Sequence, residues 1–338
     1  MARQERRALE ITASVGAATT RDSTDAAALM RDADIAMYQA KRLGKNRVEF
    51  YEQGAHEDAA LRLRLRTDLE GALAAGQFAL VYQPIVELAT NRVVGAEALL
   101  RWDHPDRGRL LPADFLATVE ELGLIVPIGR WVVQEACRQL AHWQAELRMR
   151  DLFVSVNLSP LQLRDPALAD DIEWAIADAG IRPSDLTIEV TESVVLDAAS
   201  TAGVLERLRA DGIRIALDDF GTGFATLSNL ARVPLSMIKV DRSFVAALAD
   251  GSREAAIVEN LLHIAASLGL EPVAEGIEES DQRQRLVDMG CRLGQGFLMG
   301  FPAEASAVTR LISQGRAPGG SERAALLVGS AAPQPRPV

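Results

Sequence analysis

The sequence contains little cysteine and histidine and no long apolar run. Its two cysteines, Cys137 and Cys291, cannot form a disulfide framework, and both lie in apolar patterns, so we expect buried free thiols in a reducing cytoplasm. The four histidines share no ligand spacing, which argues against a histidine-based zinc site. No run of about 18 apolar residues occurs, so this chain encodes no membrane span. The charged segment 1–7 has no apolar stretch behind it and is not a secretory signal.

Basic residues are outnumbered by acidic ones. There are 36 Lys and Arg against 47 Asp and Glu, which gives a net charge of −11 over 338 residues. A binder of nucleic-acid polymers would normally present a basic face, so this balance argues against such a partner. An anionic ligand would need local cations, supplied by a few Arg and Lys residues or by a metal.

The texture of the chain changes along its length. Segments 11–17, 25–43 and 47–51 read as a strand, a helix and a strand, a piece too small to bury a core of its own. We therefore divide the chain into an N-terminal piece over 1–52, a linker helix over 53–76, a large domain over 77–315 and a disordered, Gly-, Ala-, Ser- and Pro-rich tail over 316–338.

The large domain alternates apolar runs with helical patterns, which indicates a parallel sheet covered on both faces. The apolar runs are 78–86, 93–100, 152–158, 186–190, 213–217, 237–240, 272–274 and, more weakly, 296–299. The main helical patterns are 131–143, 168–179, 202–210, 255–268 and 281–289. About eight runs favour an α/β fold of the (β/α)8 TIM-like barrel type over a doubly wound sheet. The link 87–92 is too short for a helix crossover, so we expect the first two strands to be antiparallel.

Six successive runs deliver an oxygen ligand or a cation near their C-terminal ends, which converge on one mouth in such a barrel. These residues are Glu97 and Arg101, Asn157, Glu189 and Glu192, Asp218 and Asp219, Lys239, and Glu275 and Glu278. Taken singly, each acid would usually be a solvated loop residue or a helix cap. Their coincidence predicts a site.

Several carboxylates in one mouth cannot all stay ionised without a cation among them. Oxygen ligands with one amide and no Cys or His favour Mg²⁺, Mn²⁺ or Ca²⁺ over zinc. The neighbours Asp218 and Asp219 could share two ions, and metals about 3.5–4 Å apart are the usual device for displacement at phosphorus. Lys239 could orient the attacking water or neutralise a phosphate. These residues alone predict a metal-dependent phosphoester hydrolase.

From about Leu65 to Ser313 the chain resembles the EAL-domain family of cyclic-di-GMP phosphodiesterases. The resemblance rests on a set of motifs in one order: Tyr82-Gln83-Pro84-Ile85, Glu97-Ala98-Leu99-Leu100-Arg101-Trp102, Asn157-Leu158-Ser159, Glu189-Val190-Thr191-Glu192, Asp218-Asp219-Phe220-Gly221-Thr222-Gly223, Ile238-Lys239-Val240-Asp241-Arg242-Ser243-Phe244, Glu275-Gly276-Ile277-Glu278 and Gly294-Gln295-Gly296-Phe297.

The resemblance implies a barrel with one antiparallel strand, hydrolysis of cyclic-di-GMP to linear pGpG, two Mg²⁺ or Mn²⁺ ions and a homodimer formed through this domain. It implies that Glu97, Asn157, Glu189 and Asp218 hold the first metal, and that Asp218, Asp219 and Glu275 hold the second. Lys239 would lie beside the attacking water. Substrate would contact Gln83, Leu99 and Arg101, the last through a phosphate. Glu192 would anchor the loop that carries Gly221–Gly223, while Glu278 and Gln295 would complete the pocket.

The first region resembles the end of a GGDEF (diguanylate cyclase) domain. The similarity lies in Ser14-Val15-Gly16, in Ala33-Asp34-Ile35-Ala36-Met37-Tyr38-Gln39-Ala40-Lys41 and in Gly44-Lys45-Asn46-Arg47. Only the final third is present, and the signature sequence is absent, which excludes cyclase activity for this polypeptide. We expect apolar residues such as Ile11, Ala36 and Val48 to be uncovered, which hints that Met1 is internal to a longer sensor. The chain is predicted to be cytoplasmic, and two alternatives stay open: it lies there on its own, or it is the cytosolic end of a membrane-anchored sensor.

Three functions compete on this basis. The first is an active phosphodiesterase, supported by the complete set of ligand residues. The second is a receptor that binds cyclic-di-GMP without cleaving it; degenerate family members of that kind usually lack Glu97, one Asp of the pair or Lys239. The third is an interaction scaffold, which no residue in the sequence favours.

Overall fold

The computed structural model describes residues 13–19, 25–42, 47–50, 65–196, 198–221, 233–248 and 253–314. The chain divides into two compact units, Met1–Gly71 and Ala72–Val338. The tail predicted over 316–338 and the loop residues Thr222 and Gly223 lie outside the described residues.

In the first unit, strands β1 (Val15–Ala17) and β2 (Val48–Phe50) pair in parallel, and helix α1 (Ala26–Arg42) packs on them. The predicted strand–helix–strand order is confirmed. Helix α1 lies very close to β1, because a Cβ on Gly16 would overlap the carbonyl oxygen of Ala33.

Val48 is 56% exposed, as expected for a sheet with one uncovered face. The expectation for Ala36 is wrong: this residue is fully buried, because α1 turns it away from solvent. Ile11 lies outside the described residues. Of the predicted linker helix, the structure describes α2 over residues 65–72.

The second unit is a closed mixed barrel of eight strands with a short ninth strand at its edge. Strand β3 is antiparallel to both of its neighbours, β4 and β11, and the remaining pairs of barrel strands run parallel. The predicted barrel with one antiparallel strand is confirmed. The strands are β3 (Phe78–Glu87), β4 (Arg92–His104), β5 (Gly108–Leu110), β6 (Phe153–Asn157), β7 (Leu186–Thr191), β8 (Arg214–Phe220), β9 (Met237–Val240), β10 (Glu271–Ala274) and β11 (Leu293–Gly294).

Helices surround this barrel. They are α3 (Pro112–Glu121), α4 (Ile125–Leu147), α5 (Leu168–Ala179), α6 (Glu192–Leu196), α7 (Ala198–Ala210), α8 (Arg242–Ala246), α9 (Arg253–Ser267), α10 (Ser280–Asp288) and α11 (Ala305–Ser313). Several of them, including α4, α7 and α11, pack directly on its strands. Within the described ranges, no helix combines the length and apolarity needed to cross a membrane.

Seven of the predicted apolar runs are strands, but the eighth is misplaced. The final strand is Leu293–Gly294 rather than 296–299. The predicted segment instead turns against Ile277: a Cβ on Gly296 would overlap the Ile277 backbone, and the Leu298 amide donates to the Ile277 carbonyl at 2.9 Å. Its apolar character reflects burial in this turn, because Met299 is only 1% exposed.

An apolar cluster inside the barrel positions the polar mouth above it. Its members include Ala216, Met237, Val273 and Leu293. Each precedes a polar residue of the mouth by two positions, and side chains two apart along a strand point to the same face. The strands therefore place Asp218, Lys239, Glu275 and Gln295 side by side on an apolar floor.

The two cysteines supply a test of this packing. Both are free and buried, as predicted, and burial raises the pKa of Cys137 and of Cys291 to about 12. The thiolate is the reactive form, so a thiol reagent such as DTNB at pH 8 should label the native chain very slowly and should label both residues after unfolding in guanidinium. The matched control is Glu259→Cys, at an exposed position of α9, where the new thiol should react at once with the reagent. Rapid labelling of native wild type would contradict the packing.

Candidate active site

The centre of the barrel mouth is the ammonium group of Lys239, at the end of β9. Its Nζ lies 2.7 Å from Glu189 Oε2, 2.7 Å from Glu275 Oε1, 3.1 Å from Asp218 Oδ1 and 3.4 Å from Glu97 Oε2. These four carboxylates come from four different strands or strand ends. The lysine side chain is 3% exposed, so water screens these charges only weakly.

Two amide side chains join the carboxylates into one network. Gln295 Nε2 donates to Glu97 Oε2 at 2.7 Å and to Glu275 Oε1 at 3.0 Å. Asn157 Nδ2 donates to Glu97 Oε1 at 2.8 Å. Both oxygens of Glu97 are thus held by donors, which fixes the orientation of this carboxylate.

Asp219 completes an acidic cluster at the edge of this network. Carboxylate oxygens of Asp218, Asp219 and Glu275 lie within 4.8 Å of one another, a spacing that could hold a metal ion. The backbone of Asp219 is left-handed, with φ +55°, which is uncommon outside glycine. Its amide donates to Asp218 Oδ1 at 3.0 Å.

The buried charges shift one another's protonation. Burial would lower the pKa of Lys239, but the four carboxylates raise it well above its usual value, so the ammonium stays charged. Burial and the charge of Glu97 raise the pKa of Glu189, whereas burial raises the pKa of Glu275 to about 7. Burial opposes ionisation of Glu97 as well, yet Lys239 and the two amide donors hold its pKa below the ordinary value.

The charge balance of the mouth fits divalent metal ions. Five carboxylates and one ammonium carry four excess negative charges when all are ionised. Burial, and after it the neighbouring carboxylates, keep the pKa of Glu189 and that of Glu275 raised although Lys239 acts to lower both. Two divalent cations would carry an opposite charge of the same size, and an all-oxygen donor set is of the kind that Mg²⁺ or Mn²⁺ prefers.

The other residues predicted for the site lie around this centre. Glu192, at the start of α6, is buried, and its Oε1 accepts a hydrogen bond from the Gly221 amide at 3.4 Å. Gln83 donates through Nε2 to the Gly300 carbonyl at 3.3 Å. Arg101 is half-buried and donates to the Leu100 carbonyl at 2.7 Å.

Two further residues predicted for the site also make no hydrogen bond to the central network. Leu99 is partly exposed on β4. Glu278 is exposed, and within the described residues its carboxylate makes no hydrogen bond to the network. A substrate contact or a role at the pocket rim is what these positions allow.

One charged residue near the mouth is missing from the predicted set. Asp241 follows β9 and caps α8 by accepting a hydrogen bond from the Ser243 amide at 2.9 Å. Burial, then Asp218 and then Asp241, raise the pKa of Asp219. Asp241 lies two residues beyond Lys239, a spacing that could have brought it into the predicted set.

Comparison with known families covers most of the chain. The model of the EAL domain matches residues 66–302, and the model described as diguanylate cyclase, GGDEF domain, matches residues 1–47. The bifunctional diguanylate cyclase/cyclic di-GMP phosphodiesterase MucR of Pseudomonas aeruginosa is 42% identical over 89% of this chain and 44% of its own length. The cyclic di-GMP phosphodiesterase NbdA of the same organism is 36% identical over 90% of this chain and 39% of its own length. The chain thus spans less than half of these relatives.

Solved structures agree with the observed fold. The phosphodiesterase PaMucR in complex with c-di-GMP has a TM-score of 0.69 at 42% identity, covering 72% of this chain and 99% of that one. The EAL enzyme Bd1971, bound to cAMP and cyclic-di-GMP, has a TM-score of 0.72 at 30% identity, covering 87% of this chain and 78% of that one.

The central lysine can be tested through stability. Lys239→Met leaves four close carboxylates without their cation, and removing one partner from a buried charge cluster costs about 3–5 kcal/mol. Because the pKa of Glu189 and that of Glu275 are raised, ionising these carboxylates is unfavourable in the folded state. The free energy of unfolding that the variant loses should therefore be largest at pH 8 and smaller at pH 5. Urea unfolding with EDTA measures it, with exposed Arg253→Met as control. Equal stability of variant and wild type at pH 8 would contradict this arrangement.

Proposed function

This chain belongs to the EAL domain family, and we propose that it is a divalent-metal-dependent phosphodiesterase that hydrolyses cyclic-di-GMP to the linear dinucleotide pGpG. The observation that carries the proposal is the mouth of the barrel, where five carboxylates and two amides surround one buried lysine. The family membership and the names of the two relatives support the substrate.

We propose the metal ligands that the family resemblance implies, and the cluster of Asp218, Asp219 and Glu275 supports the second set. Glu97, Asn157, Glu189 and Asp218 would hold one Mg²⁺ or Mn²⁺, and Asp218 would be shared with a second ion held by Asp219 and Glu275. The orientation of Asn157 supports this, because its Nδ2 donates to Glu97 and its amide oxygen makes no hydrogen bond within the described residues. When bound, the metals activate a water and stabilise negative charge on the phosphate.

The residues of the chain then supply orientation and charge. Water attacks phosphorus, the bond from phosphorus to the 3′ oxygen breaks, and the proton released by water balances the proton gained by that oxygen. Lys239 stays protonated and places positive charge beside the attacked phosphate. The barrel floor of Ala216, Met237 and Val273 excludes bulk water from below, which strengthens these electrostatic interactions.

Substrate contacts follow from what the rim offers. Arg101 is the guanidinium at the end of β4 nearest the network, and a guanidinium matches the geometry of a phosphate. Gln83 lies opposite Glu97 in the β3–β4 register, so its amide faces the same mouth. Leu99 would pack against a base, while Glu192 would fix the start of the loop at Gly221.

The first experiment separates catalysis from binding. Cyclic-di-GMP is incubated with the purified chain and Mn²⁺, and products are resolved by chromatography, with an EDTA arm and an equilibrium-binding titration in parallel. We expect pGpG with metal and none with EDTA. Tight binding without product would establish a non-catalytic receptor instead, and neither binding nor product would support a scaffold. Turnover that persists in EDTA would refute the metal mechanism.

Substitution of one ligand tests the assignment of residues. Glu97→Ala removes a carboxylate from the first metal position and should abolish turnover, while Asp219→Asn should weaken metal dependence and rate together. Exposed Glu259→Ala on α9 is the matched control and should hydrolyse at the wild-type rate. A Glu97→Ala variant that retains more than about a tenth of wild-type activity would overturn the two-metal assignment.

Homodimerisation through the barrel and a cytoplasmic location stay predictions. Sedimentation or light scattering of the purified chain would measure the first. The two relatives are more than twice as long as this chain. What is said here of the activity, substrates and partners of a longer protein that contains this chain is therefore also a proposal.

A further inference from the structure

We infer that the short helix α8 (Arg242–Ala246) is the positioning element of the second metal site. The inference rests on the proposed function. Helix α8 begins three residues after Lys239 and packs against two glycine turns, one after Asp219 and one after Glu275. These are the two ligands that the second metal would not share with the first, so one helix sets the distance between them.

The first turn contains Gly221, two residues beyond Asp219. Its φ is +103°, and a Cβ there would lie 2.6 Å from Cε2 and 2.9 Å from Cζ of Phe244. The Phe244 ring thus occupies the space where any other residue would place its side chain. Asp219 also has a left-handed backbone, at φ +55°, so the chain bends at this ligand as well as at Gly221.

The second turn contains Gly276, which directly follows Glu275. Its φ is +66°, and a Cβ there would overlap Cβ of Arg242 and lie 3.2 Å from its Cα. Here the contact is with the start of α8 itself rather than with a flexible side-chain end. The Glu275 amide donates to the Val240 carbonyl at 3.0 Å, so this turn is bonded to the segment that leads into α8.

Helix α8 is itself fixed to the strand that carries the central lysine. Asp241 caps it through the Ser243 amide, at 2.9 Å, and Val240 ends β9 one residue after Lys239. The segment 239–246 therefore carries the ammonium and also contacts both turns. A displacement of α8 would move Asp219 and Glu275 relative to Lys239 while leaving Glu97 and Asn157 in place.

Other glycines with positive φ supply matched controls. Gly269 has φ +68°, and a Cβ there would have no atom within 4 Å, so Gly269→Ala imposes the same backbone strain as Gly276→Ala without touching α8. Gly212 has φ +91°, and a Cβ there would meet only Pro183, at an ordinary 3.5 Å, so Gly212→Ala matches Gly221→Ala.

The test is a titration of the full chain with Mn²⁺, followed by the electron paramagnetic resonance signal of the free ion. Wild type should bind two Mn²⁺. The Gly276→Ala variant should bind one of the two Mn²⁺ ions with an affinity lower by about tenfold or more, as is typical when a residue that supports a metal ligand is displaced. The Gly269→Ala variant should bind both ions with wild-type affinity. Thermal unfolding of each variant shows whether the two substitutions cost similar stability.

A second pair tests the Phe244 contact by rescue. Gly221→Ala should lower the affinity for the same Mn²⁺ ion. Adding Phe244→Leu removes the ring atoms that crowd the new Cβ and should restore much of that affinity. Gly212→Ala should leave both ions unaffected. No restoration would overturn the role of Phe244.

The outcomes separate this inference from the proposed function. Two Mn²⁺ bound by wild type and equal binding by Gly276→Ala and Gly269→Ala would overturn the role of α8 alone. A wild-type chain that binds fewer than two Mn²⁺ would overturn the two-metal proposal and the inference with it.

Discussion

The ammonium of Lys239 is the interaction on which the site depends. The whole chain has only three lysines, and this one lies buried among four carboxylates at 2.7–3.4 Å. Isolated burial of so many acids would be prohibitive, because each loses its hydration. One ammonium leaves four excess negative charges among the five carboxylates when all are ionised, a charge that metal ions would offset.

The barrel makes this cluster possible because several of its strands place an apolar residue and a charged residue two positions apart on the same face. Ala216 and Asp218, Met237 and Lys239, and Val273 and Glu275 are pairs two residues apart, so an apolar lower layer and a charged upper layer share one barrel interior. The lower layer supplies the burial energy and rigidity, and the upper layer supplies the chemistry. A one-residue slip of any strand would exchange both layers with the outer face.

Much of this could be predicted from the sequence because strand-end acids fall into one mouth in any parallel barrel. Glu97, Asn157, Glu189, Asp218 and Glu275 were identifiable for that reason. The last strand could not be placed from the sequence. Leu298 and Met299 are apolar because they are buried in a turn, and an apolar sequence alone does not distinguish a buried turn from a buried strand. The left-handed backbone of Asp219 and the close approach of Phe244 to Gly221 were also hidden, since both depend on distant segments that meet only in the folded chain.

The reversed direction of β3 decides where the chain enters the barrel. In its register with β4, Phe78 lies opposite Trp102 and Glu87 opposite Arg92, so the strand runs from the mouth downward. An all-parallel barrel would receive its first strand at the floor, remote from the chemistry. Here the chain enters β3 at the rim, where the Asp103 amide donates to the Gln77 carbonyl at 2.8 Å. The first residues of this strand and the carboxylates around Lys239 therefore share one end of the barrel.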